Sequence, residues 1–282
     1  MVNVMRSRSV VYMSVSALGF STMTALVKLS TQTLPTGEVV VARAVVTLAL
    51  SAIMVHRAGL SVVGKQHGKL ILRGVLGFAA LSGYYISVAL LPLADAATLQ
   101  QTIPLLTAVL AWWILDEPIG WSAAIAIGCG LGGVALILHP TTGAADGVGV
   151  AIALVAACLS AAAYVTVRQL TQTEHPLVIV LYFPMVTVPL ALPWAAAHWV
   201  WPSASEWAVL LALGVMTQVG QVYLTKALAI ERAGRVTAVG YLQICFAMLW
   251  QLLLFDERPS IGTLAGAGLI IAGTLAVSFR AR

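Results

Sequence analysis

Charge is what this sequence has least of. Lysine, arginine, aspartate and glutamate make up 9% of the chain, against about 25% in soluble domains. Hydrophobic residues make up 60%, and the mean hydropathy is +0.97. A water-soluble fold cannot hide that much apolar surface, so the solvent is lipid. Cysteine is almost absent. Cys129, Cys158 and Cys245 lie inside apolar runs without metal-ligand spacing, which reads as three buried thiols rather than a disulfide or metal set. The five histidines, His56, His67, His139, His175 and His198, sit in or near loops with no paired spacing. Phosphate-binding, nucleophile-elbow and zinc patterns are missing, so no cofactor or metal is expected. A primary pump is excluded unless a partner supplies the ATPase. An enzyme acting on lipid-linked substrates needs paired acids or histidines near one interface, and only the scattered Asp116, Glu117 and His175 are on offer. The net charge of +5 does not point to nucleic acid, because the basic residues sit at segment ends rather than on one face.

What the chain has is a repeat. At an offset of 140 positions, Asp116-Glu117 falls on Asp256-Glu257, Gly128 on Gly268, and Gly133 on Gly273. Upstream, Thr31-Gln32-Thr33 falls on Thr171-Gln172-Thr173, Lys28 on Arg168, Val46-Thr47 on Val186-Thr187, and Gly74-Val75 on Gly214-Val215. Clustered polar identities at a constant offset indicate one unit duplicated end to end, as 1–140 and 141–282.

A spanning helix needs about 20 mostly apolar residues. Ten segments qualify, near 10–30, 37–56, 70–91, 95–115, 120–138, 147–167, 176–197, 207–230, 234–254 and 260–279. The first has a repeat partner in the chain interior, so it reads as a retained membrane helix rather than a signal peptide. Connections are short, and one compact all-α membrane domain is expected. With the N-terminus in the cytoplasm, Arg6, Arg8, Arg57, Lys65, Lys69, Arg73, Arg168, Arg232, Arg235, Arg280 and Arg282 fall inside, and only Arg258 lies clearly outside. Both termini are then cytoplasmic. Trp199, Trp201 and Trp207 flank the outer face, and Trp112, Trp113 and Trp121 the inner one. Five crossings per repeat force the second copy to enter from the opposite side. The expected architecture is two inverted five-helix repeats around a central cavity, a physical route to alternating access.

Several residues stand out against this apolar background. Lys28, Arg43 and Lys226 lie within or at the edges of spans, where a cation near the centre costs about 2.5–3.5 kcal/mol on insertion scales. Snorkelling and an ion pair both fit Lys28. Arg43 is read as gating or structural, with Glu38 or kink-freed carbonyls as partners, and Lys226 as lining an inner vestibule. Asp95, Thr98, Gln101 and Thr102 share one face of span four, and Thr217, Gln221 and Thr225 one face of span eight, with Gln218 beside them. Tyr84, Tyr85, Tyr164, Tyr241 and Gln243 add buried polar groups that must be hydrogen-bonded in lipid. The repeat brings Gln101 opposite Tyr241, Tyr85 opposite Thr225, and Thr24 opposite Tyr164. These six are candidates to ring the cavity, and interhelical hydrogen bonding without a ligand is the alternative for each. Asp95, the nearest thing to a mid-membrane carboxylate, lies towards the outer edge, which leans against strong proton coupling. Asp116-Glu117-Pro118 is expected to cap the helix that follows it. Gly128-x-x-x-Gly132 and Gly262-x-x-x-Gly266 are expected to allow close backbone approach, and Pro104 to kink span four from within.

Two five-span halves, each with an acidic turn followed by a Gly-rich helix, resemble the drug/metabolite transporter superfamily, specifically its EamA-domain branch. The resemblance rests on Ala89-Leu90, Pro104 and Asp116-Glu117-Pro118 in the first half, on Lys226-Ala227-Leu228, Asp256-Glu257, Gly266 and Gly273 in the second, and on basic Lys28 and Arg43. The second half departs at Ile244, which stands where the first has Pro104, and at Arg258, which separates Glu257 from Pro259. The resemblance implies a ten-helix carrier of the inner membrane with a central cavity lined from spans one, three, four, six, eight and nine. It implies small-molecule substrates such as amino acids, amines, nucleotide precursors, vitamins or drugs, often exported. A monomer or homodimer in the lipid bilayer is expected. The tyrosines suggest an aromatic or cationic substrate.

Overall fold

A computed structural model describes residues 2–90, 99–138, 147–255 and 261–279. Eleven helices fill them, and no strand occurs among the described residues. They are α1 (Val2–Ser30), α2 (Thr36–Arg57), α3 (His67–Leu90), α4 (Ile103–Leu115), α5 (Trp121–Leu138), α6 (Gly147–Leu170), α7 (Pro176–Ala196), α8 (Ala204–Ile230), α9 (Ala233–Val239), α10 (Leu242–Phe255) and α11 (Ile261–Phe279). In lipid, a helix is the one open segment that satisfies its own backbone, which is why apolar runs of this length take no other form. Among the described residues seven stretches are long and apolar enough to cross a membrane, one of them running from Ala233 to Leu254 through α9 and α10. Three shorter apolar helices accompany them, at Ile103–Leu115, Trp121–Leu136 and Leu264–Gly273.

Local chemistry sets the ends. Ser203 and Glu206 form a capping box that starts α8. His175 caps α7 by accepting from the Leu177 amide, and Pro176 follows in the first turn. Asp116 ends α4 in the left-handed region, at φ 53°.

Helix α1 packs on α8 and α3 on α6, while α2 packs on α7 and α5 on α11. A second set joins α2 to α8 and α3 to α7, and a third joins α1 to α10 and α4 to α6. Exchanging each helix for its repeat partner returns the same set of neighbours. The exchange holds down to side chains. Gly74 on α3 sits against Val186 of α7, and Gly214 on α8 sits against Val46 of α2. The largest buried apolar cluster draws Met13, Leu70, Ala108, Val165, Ile179, Leu224 and Val236 from helices of both halves, so neither half has a core of its own.

Connections meet in two groups, at opposite ends of the helices. At one end Glu174 accepts from the amides of Lys65 and Gln66 at 2.5 and 2.6 Å, and Glu117 reaches Arg168. At the other, Glu38 accepts from the Val200 amide at 3.1 Å and Glu206 from Thr33 at 2.5 Å. Each half therefore holds a loop of its counterpart through a carboxylate.

Pro104 and Gly128 do not play the parts expected of them. Pro104 does not bend a continuous helix. The chain turns at Gln101 and Thr102, and Pro104 lies in the first turn of α4, where its missing N–H costs nothing. The related break in the second half lies at Gly240 and Tyr241, between α9 and α10. Different breakers, proline and glycine, thus interrupt both copies at one repeat position. The Gly128-x-x-x-Gly132 spacing is not the close contact either. A Cβ on Gly128 would meet open space, whereas Gly133 packs against the Gly266 carbonyl and Gly130 against the Tyr241 ring. The packing face of α5 is rotated away from Gly128.

Candidate functional site

The two breaks meet. The Tyr241 hydroxyl donates to the Gln101 carbonyl at 2.8 Å, and these positions are related by the 140-residue offset. Broken helices expose main-chain carbonyls that a continuous helix would keep within its own ladder. Tyr241 is 1% exposed, with its ring against Gly130, where any larger residue would collide with it. Gln101 is half-buried, as are Gln243, Tyr84 and Gln221.

Towards the Glu117 end lies a cation that sequence reasoning had assigned to the cytoplasmic surface. Arg73 is 3% exposed. Its Nη2 donates to Gln221 Oε1 at 3.0 Å, its guanidinium lies 4.2 Å from the centre of the Phe183 ring, and it feels the Tyr164 phenol electrostatically. Its Nε and Nη1 have no partner. Breaking or omitting the counter-ion of a buried charge is strongly unfavourable, so Arg73 is a poorly compensated group. The signal that would have found it is its place six residues into an apolar helix.

Arg43, the second buried cation, lies towards the Glu38 end at 6% exposure. It does not pair with Glu38. Its Nη1 points at the Met23 sulfur at 3.7 Å, Tyr85 is its electrostatic neighbour, and Glu38 is spent on the Val200 amide with its Oε1 unpartnered. Tyr85 also lies 6.0 Å from the Tyr84 ring and 6.3 Å from Trp194.

Other candidates are placed elsewhere. Gln218 turns to α2, exchanging two hydrogen bonds with Ser51 at 2.9 and 3.1 Å. Thr225 spends its hydroxyl on its own helix at the Gln221 carbonyl, and Thr24, exposed on α1, does the same at Phe20. Neither hydroxyl reaches across to Tyr85 or Tyr164. Lys226 lies 5.1 Å over the Tyr223 ring, a cation–π contact one turn away, and Lys28 is exposed in the last turn of α1. Asp95, Thr98 and the second acidic turn at 256–259 lie outside the described residues. A cavity of about 110 Å³ between α1 and α8 is lined by Leu29, Ser30, Thr33, Ser205, Glu206 and Val209 at the Glu38 end, away from the centre of the bundle.

Glu117 does more than was expected, and for a different helix. It takes Arg168 Nε at 2.7 Å and the Ala233 amide at 2.9 Å, so it caps α9 of the other half rather than α5. Arg168 in turn donates to the Leu228 carbonyl at 2.8 Å, at the end of α8. One carboxylate thus ties together α4, α6, α8 and α9. Pro118, Gly120, Arg232 and Arg235 line the narrow cleft beside it.

Comparison with known proteins matches this architecture. The model of the EamA-like transporter family fits the chain twice, over residues 7–139 and 147–279. The pseudopaline exporter CntI of Pseudomonas aeruginosa is 33% identical over 260 residues, covering 92% of each chain. An S-adenosylmethionine uptake transporter of Rickettsia prowazekii is 29% identical over 210 residues, 74% of this chain and 71% of its own. A solved crystal structure superposes with a TM-score of 0.79 at 20% identity, over 95% of this chain and 98% of that one, a likeness of fold. This chain belongs to the EamA-like transporter family, within the drug/metabolite transporter superfamily.

Proposed function

We propose that the protein is a secondary carrier that exports a small polar or amphipathic metabolite, such as an amino acid or amine, by alternating access. The observation that carries this reading is the Tyr241–Gln101 hydrogen bond, which joins two broken helices at equivalent positions of the two halves. Breaks of this kind put main-chain polar groups at mid-depth, where a carrier needs a site that both faces can reach. The self-mapping of the helix neighbours supports two repeats, 1–140 and 141–282, inverted across the membrane. Seven long and three short apolar helices are in keeping with ten spans. Arginine and lysine placement supports a bacterial inner membrane protein with both termini in the cytoplasm. Export is the direction carried by the name of the Pseudomonas relative, while the Rickettsia relative is named for uptake.

In this reading the Glu117–Arg168 cluster closes the cytoplasmic end, and it must part for the substrate to enter from that side. Proteoliposomes loaded with a panel of amino acids and amines test the proposal. The expected result is saturable flux of one class, reduced about tenfold or more in Tyr241→Phe, which leaves the Gln101 carbonyl unpaired, and in Gln101→Ala, which removes a half-buried side-chain amide. Flux that rises linearly with concentration indicates a channel. Unchanged saturable flux in both variants removes Tyr241 and Gln101 from the site.

A further inference from the structure

We propose that Arg73 anchors the carboxylate of the transported metabolite, which makes the cargo an organic anion or zwitterion rather than a plain cation. The inference deepens the carrier reading and rests on it. Three observations point the same way. First, the guanidinium is buried 3% exposed, about 9 Å inside α3 by helical rise, where no water sheath screens it. Second, no carboxylate among the described residues pairs with it. Glu117 is committed to Arg168, Glu174 to the 65–66 amides, Glu231 is paired with Arg235, and Glu38 holds the Val200 amide. Third, the neighbours that do surround it are neutral and built around it. Gln221 takes one donor, Phe183 offers its ring face, and Gly77 leaves the space that Nη1 occupies. Such a set holds an arginine in place without neutralising it.

The unmatched donors define the ligand. Nε lies on one edge of the guanidinium and Nη1 on the other. Nη2 keeps one N–H free of Gln221, and that N–H together with the unmatched donor on its edge matches the two oxygens of a carboxylate in the planar bidentate mode that arginine favours. One uncompensated positive charge calls for one negative charge, which fits a carboxylate better than a dianionic phosphate. Gln221 and Tyr164 beside it are both partly exposed, while Nε and Nη1 are themselves closed off, so a ligand reaches them only when α3 parts from α7 and α8 in the transport cycle. The repeat supplies no second copy of this site. The position related to Arg73 is Leu213, which is fully buried in an apolar cluster. Specificity for the anionic group therefore comes from the first half alone. The tyrosine-based expectation of a cationic cargo is replaced by this one, because a free cation would meet Arg73 with the same sign of charge.

The test reads binding without flux. Purified full-length protein is melted alone and with matched probes of one ring system: phenylacetate, phenylacetamide and phenethylamine, together with glutamate and inorganic phosphate. The proposal expects phenylacetate or glutamate to raise Tm while the amide and the amine do not, and the apparent Kd for the acid to weaken about tenfold or more in Arg73→Met. Arg73→Lys retains part of the effect. In the absence of any probe, Arg73→Met melts at or above the wild-type temperature, because an uncompensated charge is gone. Stabilisation by phenylacetate that survives in Arg73→Met overturns the proposal. So does stabilisation by phosphate or phenethylamine alone, by no probe at all, or a sharply lowered Tm of probe-free Arg73→Met, which would reveal a fixed counter-ion. The carrier reading fails separately. Protein that binds the acid through Arg73 yet carries nothing in liposomes keeps the anion site and loses transport, whereas unaltered transport in Arg73→Met loses only the site.

Discussion

Glu117 is the side chain whose removal has the most specific consequences. It pairs with Arg168 and caps α9, and both partners keep 13–18% of their side-chain exposure. Losing a fully buried ion-pair partner costs about 3–5 kcal/mol, and the residual solvent here lowers that figure. Glu117→Gln should therefore destabilise by about 1–3 kcal/mol, read as a lower Tm in detergent. A double-mutant cycle with Arg168→Met should return a coupling of about 1 kcal/mol or more, while a value near zero would mean that the two act separately. The importance of Glu117 was visible in the repeated acidic turn, but its target was not. The turn precedes α5 in sequence, and only the folding of the second half against it delivers the Ala233 amide. Arg73 escaped for a related reason. Three basic residues at 65, 69 and 73 read as one interfacial cluster. The sequence does not say that the last of them faces α7 and α8 while Lys69 is exposed. Gln218 was grouped with Gln221 by proximity, yet the rotation of α8 turns it to Ser51.

Among elements, α5 and α11 offer the cleanest contrast. A Cβ on Gly133 would lie 2.6 Å from the Gly266 carbonyl oxygen, and backbone there has no room to yield. Gly133→Ala should push the helices apart and destabilise by about 1–3 kcal/mol. Gly128→Ala on the same helix meets nothing, and should be neutral or stabilising by up to about 1 kcal/mol from helix propensity alone. Thermal unfolding of the two variants side by side checks this, and equal effects would contradict the assigned packing face. Small-residue spacing showed which helices pack closely, but with four glycines at 128, 130, 132 and 133 it could not show which face is used. The helices themselves were legible because lipid leaves an apolar run of that length no other conformation. The breaks at 101–102 and 240–241 were only half legible. Pro104 marks one, while Gly240, one of 24 glycines, carries no comparable signal.

For the whole molecule, the legible feature was the duplication, and it predicted the meeting of Gln101 with Tyr241 across the halves. No matching bond joins Thr24 to Tyr164 or Thr225 to Tyr85, since the threonine hydroxyls are satisfied by their own carbonyls one turn back. Reporter fusions should place residue 1, the 58–66 loop and residue 282 on the cytoplasmic side. A terminus on the opposite side from the other would contradict an even number of spans. The central claim, one interior site reached in turn from both faces, is tested most directly by thiol accessibility. Cys129, Cys158 and Cys245 are replaced, and Gln101→Cys is exposed to a membrane-impermeant maleimide in right-side-out and inside-out vesicles. The account predicts labelling from both faces, and labelling from the outer face alone once Glu117→Cys is cross-linked to Arg168→Cys. Labelling from a single face before cross-linking, or from neither, would contradict it.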